Sequence, residues 1–382
     1  MKQRKVAIIG GGASGLVAAI MSRRNGDDVT IYEMNDRVGK KILQTGNGRC
    51  NFCNLNLSSK FYNTEFVNSV FDKFGLKEII NFFEELGLVW HADGEGRMYP
   101  LSNSASTILD ILRFECERLG VDFKLGQKIA SINKNQKGFN ILSDFYDKVI
   151  ISSGNVDENM LNKFGHFQTE KRDGLTSVKV NKEDVSGLGG VRVKCRVSIS
   201  LGEENHSESG ELQFKTDGLS GICIFNISSL ISRKNAKFPE IFIDFMENLT
   251  NNQLKLKIEE QVKRCKNLTV DKIFVGMFHK NLAQLLIKKV GLKTSDDTSL
   301  LDECKIDRFV SIIKNYPVKV IGVNEGGQVK VGGYKTVEFD DNLQSKFVDN
   351  LYVVGECLDV DGLCGGYNLA WAWASGAIAG NN

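Results

Sequence analysis

The stretch "KVAIIGGGASGLVAAIMSRRNGDDVTIYE", residues 5–33, admits few folds. An apolar run over 6–9 reads as a buried strand, 10–15 as a glycine-rich turn, the segment to about 24 as a helix, and 29–33 as a second strand, which completes a β-α-β unit. Each glycine has its own role. Gly10 allows the tight turn, Gly12 lets a pyrophosphate approach the backbone, and Gly15 lets the helix pack closely on the strand. Ala13 and Ser14 lie in the turn among the expected cofactor contacts, and the helix that follows has unpaired N–H groups and a positive dipole end that favour an anion. Glu33 closes the second strand, where it is placed to accept from ribose hydroxyls. Its charge would repel a 2′-phosphate, so the pattern points to FAD or NAD and away from NADP.

Bulk properties narrow the partners. The 382 residues, 42% hydrophobic and 25% charged, suffice for two or three domains with substantial cores. A net charge of +2 leaves no strongly basic stripe, so nucleic acid is not the expected partner and a small-molecule substrate is. The apolar run after "MKQRK" breaks into glycines too early for a signal peptide or a membrane span, which suggests a cytoplasmic protein. Nine scattered cysteines read as reduced thiols, and four isolated histidines make no metal-ligand pattern, so no metal is expected. Nothing in the sequence sets an oligomeric state.

A second loop, "NDRVGKKILQTGNGRCNFCN" over 35–54, is longer than a simple nicotinamide domain requires and would suit a cofactor that runs past its pyrophosphate to a flavin ring. Backbone N–H groups of Gly46, Asn47, Gly48 and Arg49 would be available to it, with Lys41 nearby. The loop also holds Cys50 and Cys53 at C-x-x-C spacing, either a redox dithiol serving the flavin or two unrelated thiols.

Helical spacing of apolar residues marks 68–88 and 104–119, and between them His91, Arg97 and Tyr99 lie in a polar loop that faces either substrate or solvent. Short strands follow at 121–125, 128–133 (with Ile129 facing the cofactor), 138–142 and 147–154, the last leaving through the small residues Ser152, Ser153 and Gly154. After about residue 175 alternating strands ("VRVKCRVSIS", "GELQFKT", "EIFIDFM") give way to helical stripes at 252–264, 272–290 and 300–314. The expected organisation is therefore α/β: a discontinuous Rossmann-like domain over 1–175 and 318–382, interrupted at 176–317 by a β-barrel-like and helical insert.

The chain closes with "NLYVVGE", a buried strand, then the glycine-rich loop "GECLDVDGLCGGYN" over 355–368, then a helix of small residues, "NLAWAWASGAIAG". If the two ends of the chain meet, this loop lies at the flavin end of a cofactor whose adenosine end is held by 10–33, and the final helix aims its positive end at the ring.

The blocks "IIGGGASGLVAA", "GKKILQTGNGRCN" and "GECLDVDGLCGGYNLAWAWASG", with "RMYPLSNSAS", "GELQFKTDGLSG" and "KVIGVNEGGQVKVGGY" between them, resemble those of the bacterial BaiN-type NAD(P)/FAD-dependent oxidoreductases, also called aminoacetone oxidase family FAD-binding enzymes. The resemblance spans nearly the whole chain. It implies FAD contacts at Gly10, Gly12, Gly15, Glu33, Lys41, Gly46, Asn47, Gly48, Arg49, Gly355, Glu356, Asp359, Gly366, Asn368 and Leu369, and a hydride passing between flavin N5 and a small organic substrate. Reduction of a carbon–carbon double bond in a steroid-like or enone substrate and amine oxidation are both within its implications. NAD(P)H is the implied transient electron donor; with no second glycine-strand-acid unit in the chain, it would use the open flavin face. Cys50, Arg49 and Tyr99 are the candidate catalytic residues, with His91 beside them. Two readings stand against hydride transfer to a small molecule: a dithiol oxidoreductase using Cys50 and Cys53, and an FAD-bound accessory of RNA modification. The chain departs from the family in a shorter "SSGNVDENMLNKFGH" and in Cys53, where the family more often has Thr.

Overall fold

A computed structural model describes residues 3–154 and 159–382. The chain divides into two compact units, Met1–Arg172 with Val329–Asn382, and Asp173–Gln328.

The first unit is built on a parallel sheet of β1 (Lys5–Ile9), β2 (Asp28–Glu33), β3 (Asp122–Leu125), β4 (Lys148–Ile151) and β5 (Leu351–Val353). Its spatial order is β5-β4-β1-β2-β3. Because β1 and β4 are continuous apolar runs, both faces of the sheet are buried there. From β1 the chain steps first to one side and later to the other, so the crevice at the carboxyl ends of β1 and β4 is the topological switch point. Three helices matter here: α1 (Ala13–Arg24), α2 (Ala105–Arg118) and α3 (Tyr367–Asn381). α3 lies against α1 at backbone distance, since a side chain on Gly376 would run into Ser14 and one on Gly380 would stand 2.6 Å from the carbonyl oxygen of Ala18. The small residues of the last segment exist for this contact, which joins the two ends of the chain.

The second unit is a closed barrel of Val178–Val180, Gly218–Gly221, Glu204–Phe214, Arg192–Leu201, Glu240–Asp244 and Tyr316–Val323, in that order around the wall. Cys195, Val197 and Ile199 alternate into its core. The helices Ile222–Lys234, Asn251–Arg264, Lys280–Lys289 and Glu303–Lys314 belong to the same unit.

Five expectations need correction. His91, Arg97 and Tyr99, expected in a polar loop, lie on the strands Trp90–Ala92 and Arg97–Pro100, which pair antiparallel with His91 opposite Tyr99. The insert extends from 173 to 328, because Tyr316–Val323 pairs with Glu240–Asp244 and Val178–Val180 and closes the barrel. Its alternating burial is that of a barrel strand and not of a strand returning to a parallel sheet. Residues 128–132 are not a strand: Ile129 and Ile132 are both buried, a spacing of three that a pleated ribbon cannot provide. The segment 68–88 divides into Val67–Phe71 and Leu76–Glu85, the second starting at Gly75. The segment 272–290 breaks after Phe274, and the ring of His279 caps the new helix by accepting from the backbone N–H of Asn281 at 3.2 Å.

Candidate functional site

The first glycine turn has the geometry its spacing implies. Gly10 is left-handed (φ +108°), and a β-carbon there would meet the Ser153 backbone at 2.8 Å. A β-carbon on Gly15 would overlap the Gly10 carbonyl, so the helix can approach β1 only with glycine at that position. Gly12 is different: nothing stands within 4 Å of its missing side chain. α1 starts from Gly12 with no side-chain cap and no acidic residue in its first turn. Its orphan N–H groups therefore face open space where an anion would be stabilised.

Glu33 is buried, and it braces this turn. One carboxylate oxygen accepts from the Gly11 N–H at 2.9 Å and the other from the Asn35 N–H at 2.8 Å. The crevice beside it, about 460 Å³, brings together Gly10, Gly12, Glu33, Lys41, Ile129, Gly154 and Glu356 from the sequence-predicted set. Arg37, Lys40, Lys128 and Lys330 also line it, and this basic rim suits a phosphate-bearing ligand. Of these, Arg37, Lys128 and Lys330 were not legible from the chain, since isolated surface cations carry no pattern. Of the shortened segment over 152–166, residues 155–158 lie outside the described residues, and Asn162–Phe164 form a single helical turn.

The closing loop is held against α1. Gly355 is left-handed (φ +62°), and a β-carbon there would stand 2.5 Å from the Ser14 hydroxyl. Its N–H donates to the Ser375 hydroxyl at 3.0 Å, and its carbonyl accepts from the Trp371 indole at 3.0 Å, so α3 fixes the loop from beneath. Glu356 pairs with Lys41 at 2.7 Å and accepts from the Lys330 backbone at 2.6 Å. Asp359 donates its N–H to the Tyr334 carbonyl at 2.8 Å and accepts from Asn63 at its own carbonyl at 3.1 Å. The Asn368 carboxamide is committed to the loop: its oxygen accepts from the Gly362 N–H at 2.9 Å and its nitrogen donates to the Gly362 carbonyl at 2.8 Å. Leu369 lies partly buried beside it. At Gly366 (φ +96°) α3 begins, again without a side-chain cap.

The loop between the two is built from left-handed residues: Gly46 (φ +55°), Asn47 (+54°), Gly48 (+79°) and Cys50 (+57°). Arg49 is thereby turned outward, its guanidinium 4.8 Å from the centre of the Tyr99 ring. Tyr99 in turn stacks on His91, with centroids 5.8 Å apart. Cys50 and Cys53 are fully buried, and burial pushes both thiols up to about 12. Thiols held that firmly protonated lack the thiolate character that disulfide exchange needs, which removes the physical support for the dithiol reading.

Sequence reasoning missed Asn51. Its carboxamide oxygen is buried and has no partner among the described residues, and it lies 2.8 Å from where a Gly366 side chain would begin. An asparagine in a glycine loop gives no signal of burial. Among the described residues no cluster of three or more His, Cys, Asp or Glu could hold a metal ion, and no helix is long and apolar enough to cross a membrane.

Open space over Gly12, two uncapped helix starts tied together through Gly355 and Ser14, a basic crevice and an orphan amide oxygen fit an extended dinucleotide cofactor. Comparison with known proteins agrees. The family profile described as HI0933-like protein Rossmann domain matches residues 4–382. The chain is 33% identical to the 3-dehydro-bile acid delta(4,6)-reductase of Clostridium scindens, over 98% of both chains. It is 28% identical to the ribosomal RNA dihydrouridine synthase of Escherichia coli, over 98% of this chain and 96% of that one. Among solved structures, the open conformation of a flavocytochrome c3 fumarate reductase aligns at a TM-score of 0.46 and 17% identity, covering 99% of this chain and 78% of that one, a likeness that carries no functional weight.

Proposed function

The chain belongs to the HI0933-like Rossmann family, and on that premise we propose that it is an FAD-dependent oxidoreductase that reduces a carbon–carbon double bond conjugated to a carbonyl, with NAD(P)H as the electron donor. The observation that carries the cofactor half is the pair of uncapped helix starts, Gly12 and Gly366, joined by the Gly355–Ser14 contact. One open N-terminus suits the pyrophosphate and the other the far end of the same molecule. The substrate half is supported by the names of two full-length relatives, a reductase of a 3-oxo steroid acid and a synthase of dihydrouridine. Each name describes saturation of a double bond next to a carbonyl.

Bound FAD supplies the hydride chemistry at its N5 atom. The chain's own residues hold and orient. The backbone at Gly12, Ala13 and Ser14 takes the pyrophosphate, and Gly154 and Ile129 line the adenosine side. The Lys41–Glu356 pair balances charge where the two glycine loops meet, so that no lone carboxylate faces a phosphate. Arg49, always cationic and fixed over Tyr99, is the residue we assign to the substrate carbonyl oxygen, where it would stabilise the negative charge that grows as hydride arrives at the β-carbon.

The full-length similarity to an RNA-modifying synthase supports a second reading in which the double bond belongs to a uracil base in RNA. An anaerobic absorbance spectrum of the purified protein, followed by NADH and then NADPH, tests the shared premise. Bleaching of the flavin's visible bands is expected with one nucleotide. Re-oxidation of the reduced protein by an enone steroid, and not by uridine-containing RNA, would select the first reading; the reverse result would select the second. A protein that takes up no FAD would end both.

A further inference from the structure

Two buried features meet at the start of α3, and each is incomplete without a ligand. The helix is 15 residues long and begins at Gly366, left-handed and uncapped, so its first-turn N–H groups lack intrahelical acceptors. From the opposite loop, Asn51 is only 9% exposed, and its carboxamide oxygen points into the same spot with no donor among the described residues. A side chain on Gly366 would begin 2.8 Å from that oxygen and would collide with the Cys53 carbonyl, so glycine keeps the space between loop and helix clear. Buried amide oxygens are ordinarily paired, and one left unpaired beside unpaired donors calls for a ligand edge carrying a donor next to an acceptor.

The pyrimidine edge of an isoalloxazine has that pattern, with N3–H between two carbonyl oxygens. We propose that Asn51 is a cofactor-recognition residue whose carboxamide oxygen accepts from flavin N3–H while the first-turn N–H groups of α3 donate to the neighbouring flavin carbonyl. The inference rests on the FAD reading above and sharpens it. It gives the left-handed turns at Gly46 and Cys50 a purpose, since they deliver Asn51 to the helix start. Gly46 is required for this path, because a β-carbon there would stand 2.7 Å from the Asn51 N–H nitrogen.

The test titrates the apo form of the full chain with FAD and with N3-methyl-FAD, following quenching of flavin fluorescence. Wild type should bind the methylated cofactor about tenfold more weakly, the worth of one hydrogen bond to a buried acceptor. Asn51→Ala should weaken FAD by a similar factor and leave N3-methyl-FAD within about twofold of its wild-type affinity. Asn51→Asp, which keeps the acceptor and the shape, should retain the discrimination and serves if the alanine variant does not fold. Equal weakening of both cofactors in Asn51→Ala would mean that the residue only supports the loop, and the proposal would be wrong. Equal binding of both cofactors by wild type would also overturn it, while leaving FAD as the cofactor. No FAD binding by wild type would sink the FAD reading and this inference with it.

Discussion

The two ends of α3 are treated in opposite ways. Its C-terminal carbonyls are closed by the protein: Lys148 donates to the Ala379 oxygen at 2.5 Å, Arg4 to the Asn382 oxygen at 2.8 Å and Asn25 to the Asn381 oxygen at 3.1 Å. Its N-terminus, like that of α1, starts at a glycine with no side-chain partner. Three helices of the second unit are closed at their starts as well. Thr250 accepts from the Gln253 N–H at 3.3 Å in a capping box, Asp302 accepts from the Lys305 N–H at 2.8 Å, and His279 caps Lys280–Lys289. Helix Ile222–Lys234 also begins at a glycine, Gly221, where a side chain would overlap the Glu211 carbonyl of the neighbouring strand, much as one on Gly366 would meet the Cys53 carbonyl, whereas Gly12 has open space beside it. Three helices of the second unit are thus closed by side chains of their own. At Gly12 the free donors of α1 also have open space in front of them.

The largest effect that would break this contrast comes from filling one open end. Gly12→Asp should fold with little loss of stability, because nothing stands within 4 Å of that position. Its carboxylate would occupy the place of an anion, and FAD affinity should fall by about a thousandfold, roughly 4 kcal/mol. Fluorescence titration beside a thermal melt separates the two quantities. A variant that kept FAD affinity would show that α1 does not hold the pyrophosphate.

The closed end of α3 predicts a pH effect. Burial, reinforced by the Arg4 charge, lowers the Lys148 ammonium from 10.5 to about 7, and the side chain is wholly inaccessible. The unfolded chain binds its proton between those values and the folded chain does not. Stability from this group is therefore lowest at and below pH 7 and rises as pH climbs toward 10.5. Urea melts of wild type and Lys148→Met at pH 7 and pH 10 should differ in such a way that wild type gains roughly 3 kcal/mol on the variant over that interval. An unchanged difference would mean that Lys148 stays charged in the fold.

The smallest effect belongs to the ordinary caps. Thr250→Ala should cost about 1 kcal/mol in a denaturant melt and leave FAD affinity untouched, because it removes a capping box far in sequence from either glycine loop.

Much of this arrangement was legible in the chain. The glycine spacing at 10, 12 and 15, the acid at 33 and the small residues of α3 are constraints of backbone reach, which local sequence must satisfy whatever surrounds it. Their neighbours were harder to read. Glu33 braces the turn through Gly11, and Asn368 holds its own loop, because a carboxylate or carboxamide takes whichever donors the fold brings near. The expected strand at 128–133 failed since β-branched residues there are buried from a loop, and the insert's end moved because strand Tyr316–Val323 found its partners in the barrel.

The sequence alone determined the β-α-β unit, the two further glycine loops and the family they resemble, because turns and close approaches are decided within a few residues. Only the tertiary structure decided that Cys50 and Cys53 are sealed away, that Arg49 lies over Tyr99, and that the oxygen of Asn51 meets the open end of a helix more than 300 residues downstream. Burial and the absence of a partner are properties of everything packed around an atom, and no stretch of neighbouring residues encodes them.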